Sequence, residues 1–103
     1  MSRKILLLTT VKWPSAARLA GAFAALGCTV EAAFPPGHVL GMSRYLSGAH
    51  SYGALRGRTS FVAAIHRAAP DLVVPCDDRA VTHLLALAAA LPEIAPLLER
   101  SMG

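Results

Sequence analysis

Two short, uninterrupted apolar runs constrain the fold of this chain most: Ile5-Leu6-Leu7-Leu8 near its start and Leu72-Val73-Val74 further on. Neither run alternates with polar residues. Each therefore reads as a strand covered on both faces, the pattern of a parallel sheet with helices on either side. Both runs end in polar residues that open a helix-like segment: Thr9-Thr10-Val11-Lys12-Trp13-Pro14-Ser15 after the first, Pro75-Cys76-Asp77-Asp78 after the second. Open α/β sheets bind ligands at the carboxyl ends of their strands. The same spacing thus predicts a fold and the edge where chemistry would sit.

The rest of the chain fills in that frame. Residues 4–9 read as the central strand, followed by a helix capped at Trp13 or Ser15, with Pro14 tolerated in its first turn. Ala16, Leu19, Ala20, Phe23 and Leu26 recur at helical spacing, and Gly27 is placed to end the helix in a left-handed cap. Thr29 to Phe34 is the second strand, reached by a right-handed crossover. Residues 35–47 lack a clean period and read as a long loop with one helical turn near Val39 to Met42. A short third strand is expected over Ala49 to Tyr52. Then Thr59 or Ser60 caps a helix carrying Phe61, Val62, Ile65 and Ala69, and Asp71 to Val74 forms the fourth strand.

Asp77 or Asp78 is expected to cap the next helix, since a carboxylate accepts the orphan amides and complements the dipole. That helix runs to about Leu91, with Val81, Leu84, Leu85 and Ala88 as one stripe and Leu87 and Ala90 off it. A helix apolar most of the way round is normally buried, and the tail Ile94-Ala95-Pro96-Leu97-Leu98 is apolar too. The expectation is that something further covers the 81–98 surface, either a second copy or a missing domain to which residues 92–103 lead. The fold class is α/β: one three-layer domain over residues 1–103, a small open, mostly parallel sheet of about four strands with helices on both faces.

Composition excludes several functions. Hydrophobic residues make up 54% of the chain, which excludes disorder. The longest apolar stretch, Val81 to Leu91, is about half the roughly 20 residues a membrane span needs. The basic start is followed by a short β-like run and Lys12 with no cleavage site, so the chain is read as cytoplasmic. A net charge of +4 comes from scattered residues, of which only Arg56-Gly57-Arg58 cluster. No basic stripe with interleaved aromatics points to nucleic acid, whereas a phosphate-bearing or carboxylate ligand suits the charge. Cys28 and Cys76 fit neither a disulfide framework nor a zinc site and read as small apolar side chains. There is no G-x-G-x-x-G, Walker A loop or G-x-S-x-G elbow. Thr9-Thr10 stands where a phosphate-accepting receiver domain has acids. The histidines His38, His50, His66 and His83 lack metal-ligand spacing, and no metal is expected.

Four segments nevertheless follow one another as in a known family: Lys4-Ile5-Leu6-Leu7-Leu8-Thr9; Ala24-Ala25-Leu26-Gly27-Cys28-Thr29-Val30; Ser43-Arg44-Tyr45; and Pro70-Asp71-Leu72-Val73-Val74-Pro75-Cys76-Asp77-Asp78. In order and spacing they resemble the N-terminal, pre-ATP-grasp domain of ATP-grasp ligases related to the carbamoyl-phosphate synthase large chain and to carboxylate–amine ligases. The ending Leu97 to Gly103 resembles the junction where the ATP-grasp portion begins. The resemblance implies a substrate-side domain that is not catalytic alone, with ATP and Mg bound by later domains of a parent protein. It also implies that Arg44 faces the cleft.

The candidate ligand-binding residues are Thr9, Thr10, Lys12, Trp13, Ser15, Arg44, Asp77 and Asp78. The loop amides with Lys12, Thr10 and Ser15 can hold an anion, or serve only as loop and cap. Trp13 can stack on a ligand or pack against another domain. Arg44 can grip a carboxylate or bond loop carbonyls. Of the adjacent aspartates, one caps and the other faces the cleft. Two other readings stay open: a stand-alone flavodoxin-like module for an anionic metabolite, and an interaction domain that dimerises through its C-terminal helices.

Overall fold

The two apolar runs do form neighbouring strands of one sheet, the first inside it and the second at its edge. A computed structural model describes residues 3–12 and 15–102. In it Lys4–Leu8 is strand β1, followed by helix α1 (Ser15–Ala25), strand β2 (Thr29–Phe34), a 3-10 turn at Val39–Met42 and strand β3 (Leu46–Ser51). Helix α2 (Gly57–Ala68), strand β4 (Leu72–Pro75) and helices α3 (Asp78–Ala90) and α4 (Ala95–Met102) complete the chain. The four strands are all parallel in the order β3-β2-β1-β4.

Side-chain alternation divides the core. Ile5, Leu7, Val30 and Ala32 face Ala16 and Ala20 of α1 and Leu40 of the 3-10 turn. Leu6, Leu8, Ala33 and Val73 face Phe61 and Ile65 of α2, Leu84 and Leu87 of α3, and Ile94 and Leu98 of α4. Successive connections run outward from β1 to β3, and the chain then returns across the sheet to β4. Crossovers of one hand that move in opposite directions must lie on opposite faces, which is why α1 and α2 flank different sides. The strand order reverses between β1 and β4.

The end of α1 follows the sequence closely. Gly27 has φ of 84°, with Cys28 N–H donating to Phe23 O and Gly27 N–H to Ala24 O, a Schellman stop. Other elements differ from expectation. The third strand begins at Leu46, not Ala49, because a bulge between Val30 and Glu31 of its partner lets Ser47 slip out of register. Helix α2 starts at Gly57, so Thr59 and Ser60 lie inside it. Ser60 works instead on the preceding turn, its Oγ accepting from Gly53 N–H at 3.1 Å.

Helix α3 turns a different stripe inward. Ala80, Leu84 and Leu87 are buried, while Leu85 is 59% exposed. The reason is α4, which folds back beside β4 and presents Ile94 and Leu98 to the same core. Ser101 also accepts from Val73 N–H at 2.9 Å, so α4 covers the outer edge of β4. Most of the apolar 81–98 surface is therefore covered by the chain itself, and Leu85 is its exposed large side chain. Among the described residues no helix is long and apolar enough to cross a membrane.

Candidate functional site

The exits of β1 and β4 are adjacent because those strands pair directly, Leu8 opposite Pro75. Between them lies an open cleft of about 460 Å³ lined by Thr10, Val11, Cys76, Asp77, Asp78 and Arg79. It sits where the strand order reverses, the position at which open α/β sheets hold ligands.

Asp77 organises this edge. Its Oδ2 accepts from Thr10 N–H at 2.7 Å and from the Thr9 hydroxyl at 3.0 Å, a proton Thr9 shares with Val11 O at 2.9 Å. Its Oδ1 accepts from the Thr10 hydroxyl at 2.7 Å and from Ala80 N–H at 2.9 Å. The last contact caps α3, while the others tie the β1 loop to the β4 loop. Burial pushes the carboxyl pKa up, but the donors from Thr10, Ala80 and Thr9 outweigh it and hold Asp77 below its ordinary value. A carboxylate offers about four acceptor sites, and all four are taken. Asp77 is thus the brace of the cleft, with no lone pair left for a ligand. Thr9 and Thr10 are buried at 1% and 8% exposure and belong to the same brace.

Asp78 and Arg79 are the exposed charged side chains of the cleft. Of the two aspartates, Asp77 caps α3 and Asp78 is exposed at the cleft. Arg79 escaped notice in the sequence, although its place one residue beyond the aspartate pair, in the first turn of a helix, was the available signal. The other candidates are not gathered here. Lys12 reaches toward the turn after β2, where a Cβ on Gly37 would lie 3.3 Å from its Nζ. Ser15 is exposed as the first residue of α1, and Trp13 lies outside the described residues.

Arg44 is a correction. It precedes β3, so it stands at the amino edge of the parallel sheet, opposite the cleft. There it packs on Tyr45, its guanidinium 5.2 Å from the ring centre and donating to the Tyr45 hydroxyl at 3.3 Å. Tyr45 lies in turn against Gly21 of α1.

Cys76 lines the cleft but is a poor nucleophile. Burial, then the charge of Asp77, push its pKa from 9.0 to about 11, against a backbone hydrogen bond involving Leu8. At pH 8 only about one molecule in a thousand carries the thiolate that reacts. In a Cys28→Ser background, iodoacetamide should label Cys76 of the folded chain barely at all up to pH 9 and increasingly toward pH 11, as read by mass spectrometry.

Beneath the cleft, α3 and α2 touch through His83. A ring nitrogen of His83 meets the Tyr52 hydroxyl at 3.2 Å, and the ring packs edge-on against Phe61 at 5.5 Å. Burial, then the nearby charges of Arg58 and Arg79, lower its pKa, so His83 sits here as neutral imidazole at pH 7. Gly57 permits the approach: a Cβ there would lie 2.6 Å from His83 Nε2 and 2.8 Å from Tyr52 Oη. Tyr52 is buried and cannot retreat. Gly57→Ala should therefore destabilise by about 1–3 kcal/mol despite alanine's better helix propensity. Chemical denaturation should show His83→Ala recovering part of that loss.

Among the described residues no group of three or more His, Cys, Asp or Glu side chains is placed to hold a metal ion. No protein-family model matches the chain, and no curated protein matches it with significant similarity.

Proposed function

We propose that the chain is the substrate-side, pre-ATP-grasp domain of an ATP-grasp carboxylate–amine ligase or a similar enzyme, and that it acts in the cytoplasm. The observation that supports this reading is the cleft at the strand reversal, rigidly braced by Asp77 yet offering two unspent opposite charges, Asp78 and Arg79. A guanidinium beside a carboxylate suits a substrate bearing both a carboxylate and an ammonium group. In this reading Arg79 receives the carboxylate and Asp78 the amine. The parent enzyme forms an acyl phosphate from ATP and a carboxylate, then passes the acyl group to a nitrogen nucleophile. ATP and Mg²⁺ belong, as the resemblance implies, to later domains of the parent protein.

The test is the mass of the native product in its source cells, probed with an antibody to this domain. A band several times larger than 10.8 kDa is the expected result. A band at 10.8 kDa would overturn the ligase reading, as would tight Mg-ATP binding by the isolated chain. One observation favours the alternative of an independent binding module: α4 closes the core of this domain with its own Ile94 and Leu98.

A further inference from the structure

A second cleft, of about 320 Å³, opens on the far side of the sheet between the end of β3 and α2. Its polar wall is His50 and Ser51 from β3, Arg56 from the turn before α2, and Thr59, Ser60 and Arg67 from α2. Thr59, Ala63 and Arg67 recur every four residues and so share one helix face. The small side chains of Ala49, Ala63 and Ala64 complete the lining of the cleft.

The charge of this cleft is uncompensated. Among the described residues neither Arg56 nor Arg67 has an ion-pair partner. The nearby carboxylate is Glu31, and it is already engaged on both oxygens: Oε2 by Lys4 Nζ at 3.1 Å, Oε1 by His50 Nε2 at 2.8 Å. That second contact also fixes the imidazole in the wall of the cleft, where its side chain is 12% exposed. Hydroxyl donors are present too. Ser60 accepts from Gly53 N–H, which leaves its own proton free to give.

Next to the polar wall the surface turns apolar. Ala54 and Leu55 form an adjoining hollow that shares Ser51, Arg56 and Ser60 with the first, and Leu55 is fully exposed. We propose that this double hollow is a binding site for a small phosphate monoester whose organic group is apolar. Two arginines match a dianion better than a singly charged carboxylate. Their forked donors, with Ser51, Thr59 and Ser60, match three phosphoryl oxygens. The organic group would lie on Ala54 and Leu55. This site is separate from the β1–β4 cleft and does not depend on the ligase reading.

Calorimetry and amide NMR shifts with phenyl phosphate test it, using the full chain. Phenyl phosphate should bind and shift residues of the 49–67 segment. Arg56→Ala and Arg67→Ala should each weaken binding by about tenfold or more. Arg18→Ala, an exposed change on α1 across the sheet, should leave it unaltered. Both cleft arginines are solvent-exposed, and circular dichroism would confirm that their variants fold. Three results would overturn the proposal: no phenyl phosphate binding, equal weakening by Arg18→Ala, or benzoate binding as tightly as phenyl phosphate.

Discussion

Replacing Asp77 with alanine should cost the domain about 2–4 kcal/mol, about 1 from the lost helix cap and about 1–3 from donors left unpaired. Thr10 carries most of the second part. Its amide and its hydroxyl both end on the carboxylate, and Thr10 is nearly buried, so water cannot readily replace the oxygens. A domain of this size has only about 5–15 kcal/mol in total, so the urea midpoint should fall far. Asp78→Ala, one residue away with an exposed side chain, should change stability by less than about 0.5 kcal/mol. Equal effects of the two substitutions would disprove the brace. A double-mutant cycle with Thr10→Val should show strong coupling to Asp77.

The same contact predicts a pH dependence. Asp77 has a folded pKa below its ordinary 3.8. Its contribution is therefore fully present above that unfolded value and is lost as pH falls through the folded one. Glu31 behaves alike: burial raises its pKa, but His50 and Lys4 outweigh burial and bring it below 4.5. Stability should fall as the solution is acidified below about pH 4.5. In Asp77→Asn that acid limb should be shallower, because the asparagine has no charge to lose.

The central sheet and its functional edge were legible because they rest on local, strongly patterned signals. Continuous apolar runs mark strands covered on both faces, and an aspartate pair directly after such a run marks a helix start. What was not legible depended on tertiary contacts. The segment Leu46-Ser47-Gly48-Ala49-His50-Ser51 has no β-branched residue, and becomes a strand through pairing with β2, its Gly48 lying against Glu31 and His50 bonding the same carboxylate. Placing its start three residues late concealed that Arg44 lies only two residues before a strand and so stands at the amino edge. Helix α2 has no side-chain cap at its start, so no cap residue could mark it. Asp77 and Asp78 look equivalent as letters. Only the approach of the Thr9-Thr10 loop from a strand 67 positions away decides which one is consumed.

The inward face of α3 is the clearest tertiary decision, and it sets the other large expected effect. Leu98 is fully buried in the core that Leu84, Leu87 and Phe61 share, although it lies on an eight-residue helix at the end of the chain. Leu98→Ala should destabilise by about 2–5 kcal/mol, the transfer cost of the lost side chain plus the cavity it leaves. Each kcal/mol lowers the melting temperature by about 4–8 °C in a domain of this size. Leu85, apolar and directly after Leu84 in the chain, should give almost no change on the same substitution. If the 81–98 surface were instead an interface waiting for another domain, the order would reverse. Leu98→Ala would then be tolerated by the isolated chain, and Leu85→Ala would alter its association. Thermal unfolding of the two variants, with sedimentation at matched concentration, separates the cases. Leu98 as the costly site would mean that α4 is the last layer of this domain's own core, and that a partner docking on the 81–98 surface would meet Leu85 there.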